Sequence, residues 1–562
     1  MITTYTNILY PLKEKRLKNR IFLTVLLSII QAILESIIIL AIPLVLKTLI
    51  FKDTNPFKFG SFELNFHSID PLSLSLICIL ALVLKNTYTL FFNFYSSKFI
   101  AQTHSKLNTN IFSIHLNKPY KLFVETNTSE YIKNITHDIH NYINFSLSPL
   151  ITLISEFLIL FFIFITLLTI DFKLTIIFLF SSIFTYLIFN FFTKKIILQA
   201  GQANQMQQSE LLRYIKDTYA SFKEIYLYNL QIHFISNVEK ISQTLASGIS
   251  KNIFYGNLPR VIIESFFMIF ILLSLILTLN YSTSELVITF GAFGFAALRL
   301  IPSLSKIFVS ISSIRFGVSS CNVLNSLVDL KYDNLSEDCP HEVKYDDSVN
   351  LINVSHKYEK EIILNNINLN INSKDFVAII GDSGSGKTTL LNIILGLIKP
   401  ETGTVVSNNI SIYKSEKKWR STIGYVPQSI NLIDKNIFKN IALGQMENLI
   451  DKQKINNLLK DLSISDLALD SSGKYFMLGE NANKISGGQS QRIGIAKALY
   501  KDPKILILDE FTSSLDNENQ DKILKLIKEL DITVIMATHR LNSLSYCNKI
   551  FEIKNHILVQ VK

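Results

Sequence analysis

The sequence predicts two kinds of domain in one chain: an all-α transmembrane domain of six helices, followed by an α/β domain built around a phosphate-binding loop. The first half holds six apolar segments, each near the roughly 20 residues that cross a bilayer. The second half holds Gly381-Asp-Ser-Gly-Ser-Gly-Lys-Thr-Thr389, which matches the pattern G-x-x-x-x-G-K-[ST]. We therefore expect a transmembrane domain at 1–320, a linker at 321–346 and the α/β domain at 347–562.

The composition agrees with a membrane protein. Of the 562 residues, 48% are hydrophobic and only 18% are charged, and the mean hydropathy is +0.30. Soluble domains carry about 25% charged residues. The net charge of +10 could indicate a nucleic-acid partner, but positive charge on the cytoplasmic face explains it better, so none is expected. The four cysteines lack close spacing, which disfavours a metal site or a disulfide framework and fits a reducing compartment.

Six apolar segments are the expected membrane spans. They lie at 21–50, 71–97, 147–170, 174–194, 261–281 and 285–309. Five basic residues between Lys13 and Arg20 precede the first span, which places the N-terminus in the cytoplasm. We interpret the first span as a retained anchor, because its apolar run is too long for a signal-peptide core. Six spans then return the chain to the cytoplasm.

The segments between the spans are uneven in length. The short connections, at 51–70, 171–173 and 282–284, would face outside. The long polar segments 98–146 and 195–260 have a helical pattern and would extend the membrane helices into the cytoplasm. Each contains a candidate contact helix, at 118–123 and at 221–226. On these residues alone, an ordinary amphipathic segment explains each of them better.

Several polar side chains interrupt the apolar spans. They are Gln31, Glu35, Lys85, Glu156, Glu264 and Arg299, with Arg260 at the start of the fifth span. An ionisable group in lipid costs a few kcal/mol or more, so each should face a cavity or a partner. Two interpretations stay open. Arg260, Glu264 and Arg299 could line a polar substrate pathway, or these charges could pair within the membrane and snorkel near helix ends. For Arg260 and Lys85, pairing or snorkelling is the better explanation.

The glycine-rich loop predicts a nucleotide site. It follows the apolar run 376–380, typical of a buried strand, and precedes 390–395, typical of a helix, which is the context that the motif requires. Its glycines let the backbone approach a ligand, and its N–H groups and the helix N-terminus favour phosphate. The expected ATP contacts are Gly381, Ser383, Gly384, Ser385, Gly386, Lys387, Thr388 and Thr389. Lys387 would reach the β- and γ-phosphates, and Thr388 would place its hydroxyl on Mg²⁺.

Further motifs follow in a fixed order. Tyr358 ends a predicted strand, where its ring could stack on adenine, although a tyrosine there is more often a packing residue. The apolar strand 505–508 ends in Asp509 and Glu510, as a Mg²⁺ ligand beside a general base requires. The remaining motifs are Ile423-Gly-Tyr-Val-Pro-Gln428, Ile485-Ser-Gly-Gly-Gln489, Ser513-Ser-Leu-Asp516 and Thr533-Val-Ile-Met-Ala-Thr-His539.

Together these residues resemble the ATP-binding cassette (ABC) family, and the match covers the second half of the chain. The signature at Ser486, Gly487, Gly488 and Gln489 is the most specific mark of that family. Six spans followed by one cassette resemble the exporter-type half-transporter, in which two chains form the working unit. The resemblance implies ATP hydrolysis coupled to transport, a bacterial inner-membrane location with the cassette in the cytoplasm, and coupling helices at the two contact segments.

The resemblance also implies a role for each site residue. Two cassettes would enclose two ATP molecules, each between the phosphate-binding loop of one chain and the signature of the other. Thr388, Gln428 and Asp509 would hold Mg²⁺. Glu510 would polarise the attacking water, and His539 would contact the γ-phosphate. Gln428 would also connect this site to the membrane helices, and Asp516 would communicate across the dimer. No expected residue is degenerate, so a homodimer suffices and a heterodimer stays open.

The substrate is less constrained. Pro259-Arg260 with Glu264, and Leu298-Arg-Leu-Ile-Pro302, resemble bacterial lipid-linked oligosaccharide flippases of the PglK type. A cationic wall would suit a diphosphate-sugar head group, because arginine pairs well with phosphate oxygens. Export of a peptide, a toxin or another lipid is the alternative, with a leader-cleaving peptide exporter disfavoured because no protease segment precedes the first span. A different class, an ATP-gated channel or regulatory membrane ATPase, is a third possibility.

Overall fold

The computed structural model describes most of the chain. The described residues are 8–12, 15–51, 57–59, 62–64, 71–277, 283–330, 345–346, 348–358, 361–469, 473, 475–479, 484–511 and 516–562. The chain divides into two units, Met1–Leu116 with Thr126–Lys331 and Asn117–Glu125 with Tyr332–Lys562.

Long helices build the first unit. In chain order the helices up to residue 329 are α1 (Lys15–Phe51), α2 (Pro71–Leu116), α3 (Tyr120–Glu125), α4 (Thr128–Lys133), α5 (Ile139–Tyr142), α6 (Ser148–Ile170), α7 (Phe172–Ala220), α8 (Phe222–Leu227), α9 (Gln231–Leu277) and α10 (Thr283–Asp329). Of these, α3 belongs to the second unit. Two π-helical turns, Asn134–Asp138 and Ile143–Leu147, join α4, α5 and α6 into one helical segment. A short hairpin of β1 (Phe57–Phe59) and β2 (Phe62–Leu64) lies between α1 and α2.

Six helical segments are long and apolar enough to cross a membrane, counted over the described residues. This confirms the predicted six-helix transmembrane domain. Helix α2 has 46 residues and α7 has 49. At 1.5 Å per residue each is about 70 Å long, well beyond a hydrocarbon core of about 30 Å. The segments predicted as helical extensions are therefore helical.

The two candidate contact helices are present as short helices. Helix α3 begins two residues into the first predicted segment, and α8 coincides with the second almost fully. In α8 the side chain of Ile225 is 5% exposed, whereas Phe222 and Tyr226 are largely exposed. Their coupling role stays a prediction.

Helix α10 crosses its neighbours at two glycines. A Cβ atom on Gly201 of α7 would lie 2.2 Å from the backbone oxygen of Phe316 in α10. A Cβ atom on Gly317 of α10 would lie 2.7 Å from the Oγ of Ser146. Only glycine fits such distances, and small residues at crossings are what allow helices in a membrane to pack closely.

Helix α10 continues beyond the domain boundary expected at 320 and ends at Asp329. Polar residues after Ser320 suggested a linker, but they lie on one face of this helix. Its other face packs into the core, where Cys321 is 2% and Leu324 is 0% exposed. Residues 331–344, which hold most of the predicted linker and Cys339, lie outside the described residues.

Two sheets organise the second unit. Its strands are β3 (Val349–Tyr358), β4 (Glu361–Ile371), β5 (Phe376–Ile380), β6 (Thr402–Ser407), β7 (Ile410–Ser411), β8 (Ile423–Val426), β9 (Ile505–Asp509), β10 (Thr533–Ala537), β11 (Lys549–Lys554) and β12 (Ile557–Gln560). The larger sheet has the order β12-β11-β5-β10-β9-β8, and the smaller, antiparallel one has the order β4-β3-β6-β7. Strands β11, β5, β10, β9 and β8 are parallel.

Helices cover the parallel sheet. They are α11 (Lys387–Ile394), α12 (Glu416–Ser421), α13 (Ile437–Ile441), α14 (Lys452–Asp461), α15 (Gly487–Leu499) and α16 (Asn517–Glu529). All residues of β9 and β10 are buried, as expected for parallel strands with both faces covered. The single tryptophan, Trp419, is fully buried, and its Nε1 donates to the Ile394 oxygen at 2.7 Å. The predicted α/β domain is confirmed.

Candidate functional site

Four parallel strands of the second unit lead into the predicted site residues. Strand β5 runs into the loop at Gly381, β9 into Glu510, β10 towards His539 and β8 towards Gln428. Because the carboxyl ends of parallel strands share one edge of a sheet, the topology places these side chains together. Segments that are far apart in the sequence therefore form one cluster.

The glycine-rich loop has a backbone that requires glycine. Gly381 has a φ of +153°, and a Cβ atom there would lie 2.7 Å from the Oγ of Ser385. Gly386 has a φ of +103°, and its Cβ would lie 2.9 Å from Ile363. The Ser385 hydroxyl is buried and has no hydrogen-bond partner within the described residues. A phosphate oxygen cradled by this loop would satisfy that hydroxyl, so the loop fits the ligand that its motif predicts.

Lys387, the first residue of α11, folds back across this loop. Its Nζ donates to the backbone oxygens of Gly381 at 2.8 Å and of Asp382 at 2.9 Å. The side chain is only 7% exposed. The ammonium group therefore lies over the loop, held by neutral acceptors that a phosphate could replace.

Glu510 is the centre of the cluster at the sheet edge. Its Oε2 accepts from the Nε2 of Gln428 at 2.9 Å. Its Oε1 lies 3.9 Å from the Nζ of Lys387 and 3.8 Å from the Nδ1 of His539. Glu510 also has a φ of +45°, a left-handed conformation in which a non-glycine residue is strained. The fold thus holds this carboxylate in place by its backbone, with the Lys387 ammonium and the His539 ring near it but not in tight contact.

Asp509 is the more buried of the two carboxylates. Its side chain accepts from the Thr388 hydroxyl, and the residue is 4% exposed. Burial, followed by the like charge of Glu510, raises the pKa of Asp509, while Lys387 and Thr388 act in the opposite direction. Together Thr388, Gln428 and Asp509 offer hydroxyl, amide and carboxylate oxygens, which are the ligands that Mg²⁺ prefers.

Other predicted residues lie on different elements. Tyr358 ends β3, is 40% exposed, and has its ring 5.1 Å from that of His356. Ser486, Gly487, Gly488 and Gln489 form the exposed N-terminus of α15, where Ser486 and Gln489 make a capping box. Asp516 caps α16 through a bond from Asn519, a local role that the sequence reasoning missed. Ser513, Ser514 and Leu515 of that motif lie outside the described residues.

Two family models match this chain. One, the ABC transporter model, covers residues 364–513, and the other, the ABC transporter transmembrane region, covers 21–301. The chain belongs to the ABC transporter family. With one transmembrane region and one ATP-binding domain, it has the half-transporter architecture of an exporter.

Known relatives agree with this assignment. The ABC transporter chain is 28% identical to the lacticin-481/lactococcin-DR transport/processing ATP-binding protein of Lactococcus lactis subsp. lactis, over 98% of this chain and 76% of that protein. It is 35% identical to the alpha-hemolysin translocation ATP-binding protein of Escherichia coli O157:H7, over 36% of this chain and 29% of that protein. A bacterial Atm1-family ABC exporter with ATP bound has the same fold, with a TM-score of 0.80, 19% identity and coverage of 97% and 95%.

The transmembrane domain of this ABC transporter contains a second cluster of charges, the membrane charge network. Glu35 lies 3.1 Å from Lys85 and 3.0 Å from Arg299. Glu156 lies 3.4 Å from Arg299 and 2.7 Å from Lys306, and it accepts from Ser303 at 2.7 Å. Both carboxylates are nearly buried, at 7% and 6% exposure. The network connects α1, α2, α6 and α10.

The three residues predicted to line a substrate pathway therefore lie in two separate places. Arg299 belongs to the network, whereas Arg260 and Glu264 pair with each other at 2.9 Å on α9 and are 71% and 48% exposed. Pairing, which the sequence left open, is thus observed for all of these charges. Lys306 was missed, although it follows Arg299 by two helical turns and so lies on the same face of α10, a signal that could have identified it.

Proposed function

We propose that this ABC transporter works as a homodimeric, ATP-driven exporter in the bacterial inner membrane, and that it flips a polyprenyl-diphosphate-linked oligosaccharide. The observation that supports the ATP-driven part is the cluster around Glu510, in which Lys387, Gln428 and His539 surround one strained carboxylate. Such a cluster joins a phosphate-binding cation, a polar ligand and a general base at one sheet edge.

Each side chain at this edge has a step to perform. Lys387 exchanges the oxygens of Gly381 and Asp382 for phosphate oxygens when ATP binds. Thr388, Gln428 and Asp509 would hold Mg²⁺, which would supply charge neutralisation for the transferred phosphoryl group. Glu510 orients the attacking water and accepts its proton, and the exposed imidazole of His539 donates to the γ-phosphate. Tyr358 stacks on the adenine ring.

A second copy of the chain completes the site. The N-terminus of α15 is exposed and carries the signature residues Ser486 to Gln489. A helix N-terminus attracts phosphate, so the signature of one copy closes over ATP bound to the loop of the other, and Asp516 communicates between the copies. ATP favours this closed dimer through its different affinities for the two states, and hydrolysis releases it. Helices α3 and α8 pass the change to the membrane helices.

The proposed cargo rests on cationic side chains in the transmembrane domain. Arg260 is largely exposed, and its pairing with Glu264 holds it by one carboxylate on its own helix. An arginine in this setting can bind a phosphate oxygen in exchange for a weak surface ion pair. Arg299 is held by two carboxylates and contributes to the field around the cargo rather than to direct contact.

Reconstitution tests this cargo directly. The purified protein would be placed in liposomes with a labelled polyprenyl-diphosphate oligosaccharide, and the ATP-dependent loss of head groups from one leaflet would be followed. We expect movement with the native protein and none with Glu510→Gln. ATP hydrolysis by the native protein without lipid movement would refute the flippase and leave the ATP-driven exporter intact.

Peptide export is the second candidate, and similarity along almost the whole chain supports it. The relative that matches 98% of this chain is named for lacticin-481 and lactococcin-DR transport and processing. The same liposomes, loaded with lacticin 481 in place of the lipid, distinguish the two candidates. ATP-dependent peptide movement that Glu510→Gln abolishes would favour this second function.

A further inference from the structure

A buried glutamine connects two elements that border the proposed ATP site. Gln520 is the fourth residue of helix α16 and is 1% exposed. Its Nε2 donates to the Oγ of Ser543 at 2.6 Å, and its Oε1 accepts from the Nη1 of Arg540 at 2.9 Å. Both partners lie in the segment that follows β10, so the donor end and the acceptor end of the amide are bound to the same segment.

The first of the two elements is the start of α16. Asp516 caps this helix, and its backbone oxygen accepts from the backbone N–H of Gln520 at 3.0 Å. The cap and the glutamine therefore belong to one hydrogen-bonded turn of helix. Asp516 is also the residue to which the proposed function assigns communication between the two copies.

The second element is the loop that carries His539. Arg540 directly follows this histidine, and its backbone N–H donates to the Oγ1 of Thr538 at 3.0 Å. Thr538 is 2% exposed, and its own N–H donates to the backbone oxygen of Ile379 in β5 at 3.2 Å. The residue before His539 is thus fixed to the strand that leads into the glycine-rich loop, and the residue after it is fixed to α16.

His539 depends on such support. Its ring is 58% exposed and lies 3.8 Å from Glu510, a distance too long for a hydrogen bond. Because that contact does not fix the ring, the placement of the imidazole depends on the backbone of its two neighbours. A misplacement of about 1 Å in a reacting group can lower a rate by about 10²-fold. The bond between Arg540 and Gln520 is therefore suited to affect the reaction from a distance.

We propose that Gln520 is a positioning residue for ATP hydrolysis, which holds the loop of His539 against the helix that Asp516 caps. The link between loop and helix does not depend on the proposed function, whereas its effect on hydrolysis rests on the role proposed there for His539. Without the amide, the Arg540 guanidinium loses an acceptor and the loop is released from α16. The phosphate donor is then present but misplaced, so turnover falls while ATP binding by the glycine-rich loop is retained.

Hydrogen–deuterium exchange of the full-length protein without nucleotide tests the link itself. Gln520→Met keeps the length of the side chain and removes both of its hydrogen-bonding ends. We expect the amides of 539–546 to exchange about tenfold faster, as loss of a hydrogen bond to a charged group predicts, and those of β9 to stay unchanged. Gln453→Met, at an exposed glutamine of α14, is the matched control and should change neither.

Steady-state ATP hydrolysis tests the consequence of the link. Gln520→Met should lower kcat about tenfold and leave the KM for ATP within about twofold of the native value. In protein that already carries His539→Ala, the same change should lower kcat by less than about twofold, because no imidazole is left to position. Gln520→Glu keeps an oxygen acceptor for Arg540 and should restore kcat to within about threefold of the native value.

The possible results separate this link from the proposed function. Arg540→Met breaks the same bond from a half-buried residue and should give the same results if Gln520→Met does not fold. Equal losses of kcat with and without His539→Ala, unchanged exchange at 539–546, or equally faster exchange in β9 would overturn the positioning role and leave the proposed function intact. Native hydrolysis rates in both Glu510→Gln and His539→Ala would refute the proposed function, and faster exchange in Gln520→Met would then support the structural link alone.

Discussion

Carboxylates with basic side chains near them occur in both halves of this exporter, and they are held in different ways. In the ATP-binding domain, Glu510 has Lys387 and His539 at 3.9 and 3.8 Å, distances too long for hydrogen bonds. In the transmembrane domain, Glu156 has Lys306 and Ser303 at 2.7 Å, in full hydrogen-bonding contact. Glu510 is also more exposed, at 21% against 6%.

The difference teaches how to distinguish a working carboxylate from a structural one. A carboxylate that accepts a proton, the role proposed for Glu510, needs a fixed position, and Glu510 obtains its position from a strained backbone and one amide. A carboxylate buried in a membrane needs saturated partners instead, because each unpaired charge is costly there. Removing the charge of Glu510 should therefore lower turnover without loss of stability, whereas removing the charge of Glu156 should lower stability.

The largest expected effect is on turnover, without loss of stability. Glu510→Gln keeps the shape of the side chain and the contact with Gln428 but removes the proposed proton acceptor. ATP hydrolysis should fall by about 10²- to 10⁴-fold, while nucleotide binding and the melting temperature stay close to those of the native protein. ATP hydrolysis by this variant within tenfold of the native rate would contradict the distinction drawn between Glu510 and Glu156. The control is Glu518→Gln, which removes one carboxylate from an exposed ion pair on α16.

The next effect is on stability. Glu156→Gln leaves Lys306 without a carboxylate and Arg299 with Glu35 alone. Because Lys306 is 52% exposed, the loss of stability should stay below the roughly 3–5 kcal/mol that breaking a fully buried pair costs. Glu264→Gln breaks an exposed ion pair on another membrane helix and should change stability by less than about 0.5 kcal/mol. Thermal unfolding followed by size-exclusion chromatography measures both variants. Equal melting temperatures would show that the membrane charge network is not structural.

A smaller effect on turnover is expected at His539. Its ring is 58% exposed and approaches Glu510 only at 3.8 Å, and the proposed function makes it one phosphate donor among several. His539→Ala should lower ATP hydrolysis by roughly 10²-fold, less than the largest loss expected for Glu510→Gln, and leave stability unchanged. A steady-state ATPase assay with both variants decides the order. A larger loss for His539→Ala than for Glu510→Gln would show that the imidazole contributes more to hydrolysis than the carboxylate does.

The smallest effect concerns pH. His356 on β3 is 4% exposed, and burial lowers the pKa of its imidazole. In the unfolded chain a histidine gains a proton near pH 6.5, but the folded form resists it until a lower pH. Stability is therefore complete above about pH 6.5 and is lost as the pH falls towards the folded pKa.

The single tryptophan provides the measurement, since Trp419 is buried in the ATP-binding domain. Its fluorescence should show a melting temperature that falls between about pH 7.5 and 5.5, and His356→Phe should reduce this fall. His539→Phe, a change at an exposed ring, should not. A fall of equal size in all three proteins would assign the pH dependence to other groups.

The two halves also differ in how far their sequences could be interpreted. The phosphate-binding loop, the strand before it and the short helix after it are each predicted by residues that lie close together in the sequence. The residues between Phe376 and Ile394 therefore predict their own structure, and β5 and α11 lie where expected. The family assignment is confirmed for the same reason, since the motifs are local and ordered.

The rest depended on contacts between distant segments. No local pattern shows that Glu156 meets Lys306, because 150 residues separate them. The close crossing at Gly201 and the buried face of α10 after Ser320 also depend on packing between helices. Sequence periodicity identifies which segments are apolar, but it does not say which helix lies against which. The functional roles of the site residues stay predictions.

The order of the network along the chain has a consequence for biosynthesis. Glu35 is followed after 50 residues by Lys85, so its first partner is made early. Both cationic partners of Glu156 belong to α10, and Lys306 follows it by 150 residues. At roughly 5–20 residues per second the ribosome needs about 8–30 s to reach that lysine. Until Arg299 and Lys306 are made, the nascent third span carries a carboxyl group without the cations that pair with it in the folded protein.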